Sequence, residues 1–283
     1  MSENLLDLLG YHKKWHASTQ RHRRRFEYSI NDYITQEIFN RLEIEEGTFV
    51  EFGAWDGLFL SNTRFLFKNG WGGLLIEGDE DKAKELHKNY ANHPEVKTVN
   101  SFVDIKDNLI DDIFEKHLDK NIDFCSIDID GLDLEIFKTF KVNMPKVVCI
   151  EGGQVLYPYH EEVESGIASK NVQQSLSVLR NVFRSRGYEL LCSYQDCFFI
   201  KKEYCNLFQM EEDLTTHYKR GLLALPRLPY IRDVLKGVGL KNKIIDHCLN
   251  GILNEDEDLS SEQKSHWVDK HYSTIKERLE FYQ

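Results

Sequence analysis

No stretch of this 283-residue chain approaches the ~18 consecutive apolar residues that span a bilayer, and its first residues lack the apolar core of a signal peptide. The expectation is a soluble, cytoplasmic protein with no transmembrane segment. Positive charge is also short: 36 Lys and Arg face 47 Asp and Glu, giving a formal charge of −11. Nucleic-acid binding leans on summed Lys and Arg contacts to phosphate, so no nucleic-acid partner is expected. None of the six cysteines pairs in C-x-x-C spacing. Cys125, Cys149, Cys192, Cys197, Cys205 and Cys248 therefore read as free, mostly buried thiols rather than bridges or zinc ligands. Internal repeats and low-complexity tracts are absent. The dinucleotide fingerprint G-x-G-x-x-G is missing too, because Trp55 and Leu58 stand where glycines should follow Gly53. That disfavours NAD.

What is present is a βαβ unit from Thr48 to Glu80. Thr48-Phe49-Val50-Glu51-Phe52 reads as a strand and breaks at Gly53-Ala54-Trp55-Asp56-Gly57; a helix over Ser61 to Lys68 follows. Gly73-Leu74-Leu75-Ile76-Glu77 then resumes a buried strand that ends in an acid, where the ribose hydroxyls of a nucleotide lie in a Rossmann-type unit. Downstream the pattern alternates: helix 81–89, strand 96–99, helix 108–118, strand 124–128, helix 132–140, strand 146–151 and helix 171–186. An antiparallel pair, 188–192 and 197–201, closes it around Ser193-Tyr194-Gln195-Asp196.

Glu51-Phe52-Gly53-Ala54-Trp55-Asp56-Gly57 resembles motif I of class I S-adenosylmethionine methyltransferases, an acid, one residue, then G-x-x-x-G. Trp55 replaces the middle glycine common there. The wider wording, VEFGAWDG with LSNT, LLIEGD and SIDIDGLD, is similar to the FkbM-like methyltransferases over roughly residues 47–202. This resemblance implies an α/β fold with a Rossmann-like, doubly wound, seven-stranded methyltransferase sheet whose last strand is reversed. It also implies S-adenosylmethionine as cofactor and O-methylation of a sugar, glycan precursor or related hydroxyl compound, as in polysaccharide biosynthesis. The alternative from another class is a non-catalytic nucleotide-binding or assembly protein that keeps the fold.

Around that core, residues 47–205, we expect a helical extension over 1–46 and another over 206–283. Residues 11–26, YHKKWHASTQRHRRRF, hold Lys13, Lys14, Arg21, Arg23, Arg24 and Arg25 and no acid. They read either as a solvated helix face or as a site for phosphate, on a nucleotide-linked acceptor or a lipid headgroup, since guanidinium pairs bidentately with phosphate oxygens. In the C-terminal extension Val268, Tyr272, Ile275, Leu279 and Tyr282 repeat at near-heptad spacing. That stripe fits packing on the protein's own core or a homodimer contact.

Open α/β sheets bind ligands beyond the carboxyl ends of their strands. The cofactor residues implied are Glu51, Gly53, Ala54, Asp56, Gly57 and Asn62 around motif I, Glu77 for the ribose, Gly78, Ser101 and Phe102 beside adenine, and Asp128 near the methyl. Gly53 is expected to admit the cofactor's methionine end. Asp79 reads as a turn residue. Asp128 and Asp130, two apart at a strand end, are costly to leave without a proton, donors or a cation. They are candidates for orienting or deprotonating an acceptor hydroxyl; Asp130 has the second reading of capping the helix at Leu132. His160, after Glu151-Gly152-Gly153 and near Tyr157 and Tyr159, is the other candidate base, its ordinary pKa being near 6.5. Asp128 and Glu151 are the candidate ligands for Mg²⁺.

Overall fold

The computed structural model describes residues 30–103, 110–153, 158–159, 174–194 and 196–217. The basic stretch 11–26, Tyr157, His160, Cys248 and the heptad-like stripe lie outside the described residues. Seven strands form one sheet: β1 (Thr48–Phe52), β2 (Gly72–Glu77), β3 (Val96–Asn100), β4 (Phe124–Ile127), β5 (Val147–Ile150), β6 (Tyr188–Ser193) and β7 (Cys197–Lys201). Their order is β3-β2-β1-β4-β5-β7-β6, with β7 antiparallel to both of its neighbours and the rest parallel. This is the Rossmann-like, doubly wound α/β sheet with a reversed last strand. β1, β4 and β5 are buried along their whole length, as parallel strands covered by helices on both faces must be.

The helices divide between the two faces. α1 (Ile30–Arg41), α2 (Arg64–Lys68) and α3 (Glu80–Tyr90) pack Ile34, Ile38, Leu66, Leu86 and Tyr90 against Phe49, Leu75, Phe124 and Cys149. α4 (Ile110–His117), α5 (Asp133–Thr139) and α6 (Leu176–Ser185) pack Phe114, Phe137 and Phe183 against Val50, Phe52, Ile127 and Phe199. Strand alternation makes this division. Phe49 and Glu51 face the α1 layer while Val50 and Phe52 face the other. Helix α1 therefore shares the core of the sheet. A 3₁₀ turn, Lys202–Leu207, follows β7. Among the described residues no helix is long and apolar enough to cross a membrane. The five described cysteines are free thiols, all but Cys205 buried.

Two expected helices are shorter: the one predicted over 171–186 begins only at Leu176, behind its N-cap Ser175, and ends at Ser185. The helix predicted over Ser61–Lys68 begins only at Arg64, because Glu51 draws the three preceding residues into a loop: its carboxylate accepts from Ser61 Oγ at 2.7 Å, Asn62 N–H at 2.6 Å and Thr63 Oγ1 at 2.6 Å.

Candidate active site

β1 and β4 are neighbours, and the chain winds outward from them in opposite directions, so their carboxyl ends mark the switch point of the sheet. The loop leaving β1 turns at Gly53 with φ 71°. A Cβ there would stand 1.9 Å from the Asp128 carbonyl oxygen. Close packing of the β4 loop therefore requires glycine at this position, a tighter constraint than the expected approach of a ligand. Gly57, φ 73°, is bound to α3 in the same way: a Cβ would lie 2.4 Å from Tyr90 and 2.7 Å from Leu86. The Tyr90 hydroxyl donates to the Gly57 carbonyl at 2.8 Å, and Asp56 Oδ1 accepts from Leu58 and Phe59 N–H at 2.9 and 2.7 Å. Ala54 is buried and donates its N–H to the Ile76 carbonyl. The loop is thus fixed by its own backbone, and it presents Trp55, Leu58 and Phe59 to solvent.

Beneath it lies a buried polar row that the sequence did not reveal. Glu51 and Ser126 are register partners across β1 and β4, and Ser126 and Cys149 across β4 and β5, all on the α1 face. Asn62 Nδ2 donates to Ser126 Oγ at 3.0 Å, and Asn62 Oδ1 accepts from Asn31 Nδ2 at 3.2 Å. Asn31 Nδ2 also donates to Asp196 Oδ2. Asn62 and Glu51 are buried, so these two expected cofactor residues hold the frame of the site from below.

At the end of β2 the Glu77 carboxylate accepts the Trp55 N–H at 2.7 Å on Oε2 and the Asp79 N–H at 2.8 Å on Oε1. Each oxygen retains a second lone-pair position, so the group is oriented while still able to accept from a vicinal diol. Asp79 caps α3 by accepting from Lys82 N–H, and Asn100 Nδ2 donates to the Glu77 carbonyl at 2.9 Å. Ser101 N–H donates to the same carbonyl at 3.0 Å. Phe102 is 73% exposed and lies over Gly78, where a Cβ would come within 3.1 Å of its ring. An acid, a bare glycine and an open aromatic ring stand together here.

On the other side of the switch point, carboxylate oxygens of Asp128, Asp130 and Glu151 lie within 4.8 Å of one another. Asp128 and Asp130 are exposed and Glu151 is half-buried, although protein atoms crowd around the Asp128 carboxyl. That enclosure first, then the charges of Asp196, Asp133, Asp130 and Glu51, push its carboxyl well above the ordinary range. Burial followed by the charges of Asp128, Asp133, Asp196 and Asp130 does the same to Glu151. Asp130 does not cap α5. No side chain caps that helix; the loop before it is instead folded onto Asp133, which accepts Ile129 N–H at 2.8 Å and Gly131 N–H at 2.9 Å, and Asp130 is left exposed in a left-handed turn, φ 57°. Burial pushes Asp133 itself up to about 6. Asp133 was missed from sequence; the signal available was an acid in the first turn of a helix after a glycine, a position suited to folding back over a loop.

The sheet order, its reversed strand and the acid closing β2 define the fold class as that of the Rossmann-like methyltransferases. Comparison with protein-family models and with curated proteins gives no match. Similar solved structures include TrmK from M. capricolum in complex with S-adenosyl-homocysteine, at 13% identity and TM-score 0.44 over 86% of this chain and 96% of that one. A candidate caffeoyl-CoA O-methyltransferase from Staphylococcus aureus is similar at 16% identity and TM-score 0.44, over 70% and 98% of the two chains. Methyltransferase FkbM from Methylobacillus flagellatus KT is similar at 16% identity and TM-score 0.39, over 55% and 44%.

Proposed function

We propose that the protein binds S-adenosylmethionine at the ends of β1 and β2 and methylates a hydroxyl of a sugar, glycan precursor or related small molecule. The observation that carries this reading is the Glu77 carboxylate, oriented by two backbone N–H groups, with Phe102 over Gly78 beside it. Glu77 would accept both ribose hydroxyls, and Gly78 with Phe102 would take adenine. Bound there, the cofactor supplies an electrophilic methyl on a sulfonium. The acceptor oxygen bonds to the methyl carbon as the carbon–sulfur bond breaks, its electron pair neutralises the sulfur, and the hydroxyl proton must leave to a base.

Asp128 is the described group suited to take that proton. Its raised affinity for protons makes its ionised form a stronger base than an ordinary carboxylate. His160 is the alternative from sequence alone. The acidic chain favours a small acceptor over a nucleic acid, and the Arg-rich residues 21–25 suit a phosphate on that acceptor. Transfer of a labelled methyl group to a panel of nucleotide sugars and cell-envelope glycans tests the reading: incorporation into none of them, with incorporation into RNA instead, would replace it.

A second reading, favoured by the convergence of Asp128, Asp130 and Glu151, is that a divalent cation assists. Oxygen ligands of one ion stand at most about 4.2 Å apart around Mg²⁺ and about 4.8 Å around Ca²⁺, twice the metal–oxygen distance, so these three carboxylates fit a hard cation with small adjustments. Such an ion would acidify a bound hydroxyl without a dedicated base. Full transfer activity in EDTA removes it; loss in EDTA and recovery with Mg²⁺ supports it.

A further inference from the structure

Trp55 stands where the methyltransferase motif has its middle glycine, and the backbone there has kept the conformation a glycine would adopt. Its φ is 51°, a left-handed value that bulky side chains rarely take because Cβ crowds the neighbouring carbonyl. A strained backbone bearing a large side chain persists only where something offsets it. In the core an indole would gain by burial, yet Trp55 is 47% exposed. Its visible contacts are slight: Lys82 Nζ lies 4.6 Å from the ring centroid, and the Phe59 ring is 6.4 Å away edge-on. Neither explains a tryptophan at this position.

The topology shows what does. β2 lies between β1 and β3 in the sheet, so the loop leaving β1, with Trp55, and the residues leaving β3, with Phe102, flank the end of β2 from opposite sides. Glu77 closes β2, and its carboxylate is bound directly to the Trp55 N–H at 2.7 Å. Two exposed aromatic rings therefore bracket one oriented carboxylate. We propose that Trp55 is a cofactor-binding residue of this chain, its indole packing on the nucleoside held at Glu77 while its strained backbone delivers an N–H to that carboxylate. Lys82 holds the ring from one side by cation–π attraction and leaves the remaining surface for the ligand. This assignment rests on the S-adenosylmethionine reading.

The test is S-adenosylhomocysteine titration by calorimetry, with thermal melts without ligand, on wild type, Trp55→Gly, Trp55→Ala and Trp55→Phe. Glycine relieves the left-handed strain, so Trp55→Gly should melt about 3 °C above the wild type while binding about tenfold more weakly, since an aromatic ring on a base is worth about that. Stability and affinity then move in opposite directions, which a merely structural tryptophan would not produce. Trp55→Ala should lose affinity without the gain in melting temperature, and Trp55→Phe should keep most of the affinity. Wild-type affinity in Trp55→Gly, or equal losses in the glycine and phenylalanine variants, overturns the proposal and leaves the cofactor reading standing. If the wild type itself does not bind, the cofactor reading fails and the proposal falls with it.

Discussion

Removing the Glu51 side chain is the perturbation whose cost follows most directly from the structure. Its carboxylate is buried on the α1 face and accepts three bonds, from Asn62 N–H, Ser61 Oγ and Thr63 Oγ1. In Glu51→Ala the two hydroxyls have partial recourse, because they stand 3.4 Å apart and Ser61 Oγ already accepts from Thr63 and Arg64 N–H. The Asn62 N–H loses a 2.6 Å bond to a charged acceptor. Losing a buried bond to a charged group costs about 1.5–3 kcal/mol and losing two further bonds about 1 kcal/mol each, so the variant should be destabilised by roughly 3–5 kcal/mol. For a domain of this size that is on the order of a 10 °C fall in Tm. Glu51→Gln should behave differently. Its carbonyl can still take the Asn62 N–H and its amide can donate to Thr63 Oγ1, while Ser61 Oγ, already accepting two N–H groups, loses its bond, so the loss should stay near 1 kcal/mol. Urea unfolding of both variants measures the difference. An alanine variant within about 1 kcal/mol of wild type would refute the reasoning, and a stable glutamine variant with badly weakened cofactor affinity would move Glu51 from the frame into the binding site.

Asp133 predicts a pH dependence. Its folded pKa of about 6 lies above the unfolded 3.8, so the folded state binds the proton first and stability rises as pH falls through 6; between pH 7 and pH 5 this group should add about 1 kcal/mol. Urea unfolding of Asp133→Asn at the two pH values should lack that increment, and an unchanged increment assigns it to other groups. Gly53→Ala should cost far more than Gly187→Ala, because both glycines have positive φ but only at Gly53 would a Cβ meet backbone, at 1.9 Å, whereas nothing lies within 4 Å at Gly187; similar melting temperatures would contradict this. Replacing Arg23, Arg24 and Arg25 by Gln should raise the acceptor's KM while leaving cofactor affinity alone, with the effect shrinking at high salt, since exposed charges are screened beyond ~10 Å at 0.1 M. Unchanged kinetics would return this segment to a solvated face.

Much of the fold was legible because β1, β2, β4 and β5 are short runs of β-branched, aromatic and aliphatic residues closed by turn signals, the form that doubly covered parallel strands take. The reversed pairing of β7 was legible from the tight turn at 193–196. The frame of the site was not. Asn31, Asn62, Ser126 and Asp196 meet across separations of 31, 64 and 165 residues, and no local pattern encodes such contacts. Glu51 was read as a motif residue, but only alternation in a strand whose faces are known shows that it points toward Ser61–Thr63. Asp130 and Asp133 have the same chemistry and lie in one loop; the backbone folding back over the start of α5 decided which of them accepts the N–H groups. Glu77, by contrast, stood out from sequence because an acid ending an otherwise apolar strand must meet donors or a ligand.

The central claim is that Glu77 holds the ribose of an adenosyl cofactor. Calorimetric titration of S-adenosylhomocysteine, S-adenosylmethionine and NAD into wild type and Glu77→Ala, each shown by thermal melt to be folded, tests it most directly. Wild type should bind both adenosyl ligands and not NAD, and the variant should lose roughly 1.5–3 kcal/mol of binding, ten- to more than a hundredfold, with the charged hydrogen bonds. Tight binding of NAD by the wild type, or an alanine variant that binds S-adenosylhomocysteine as well as wild type does, would contradict it.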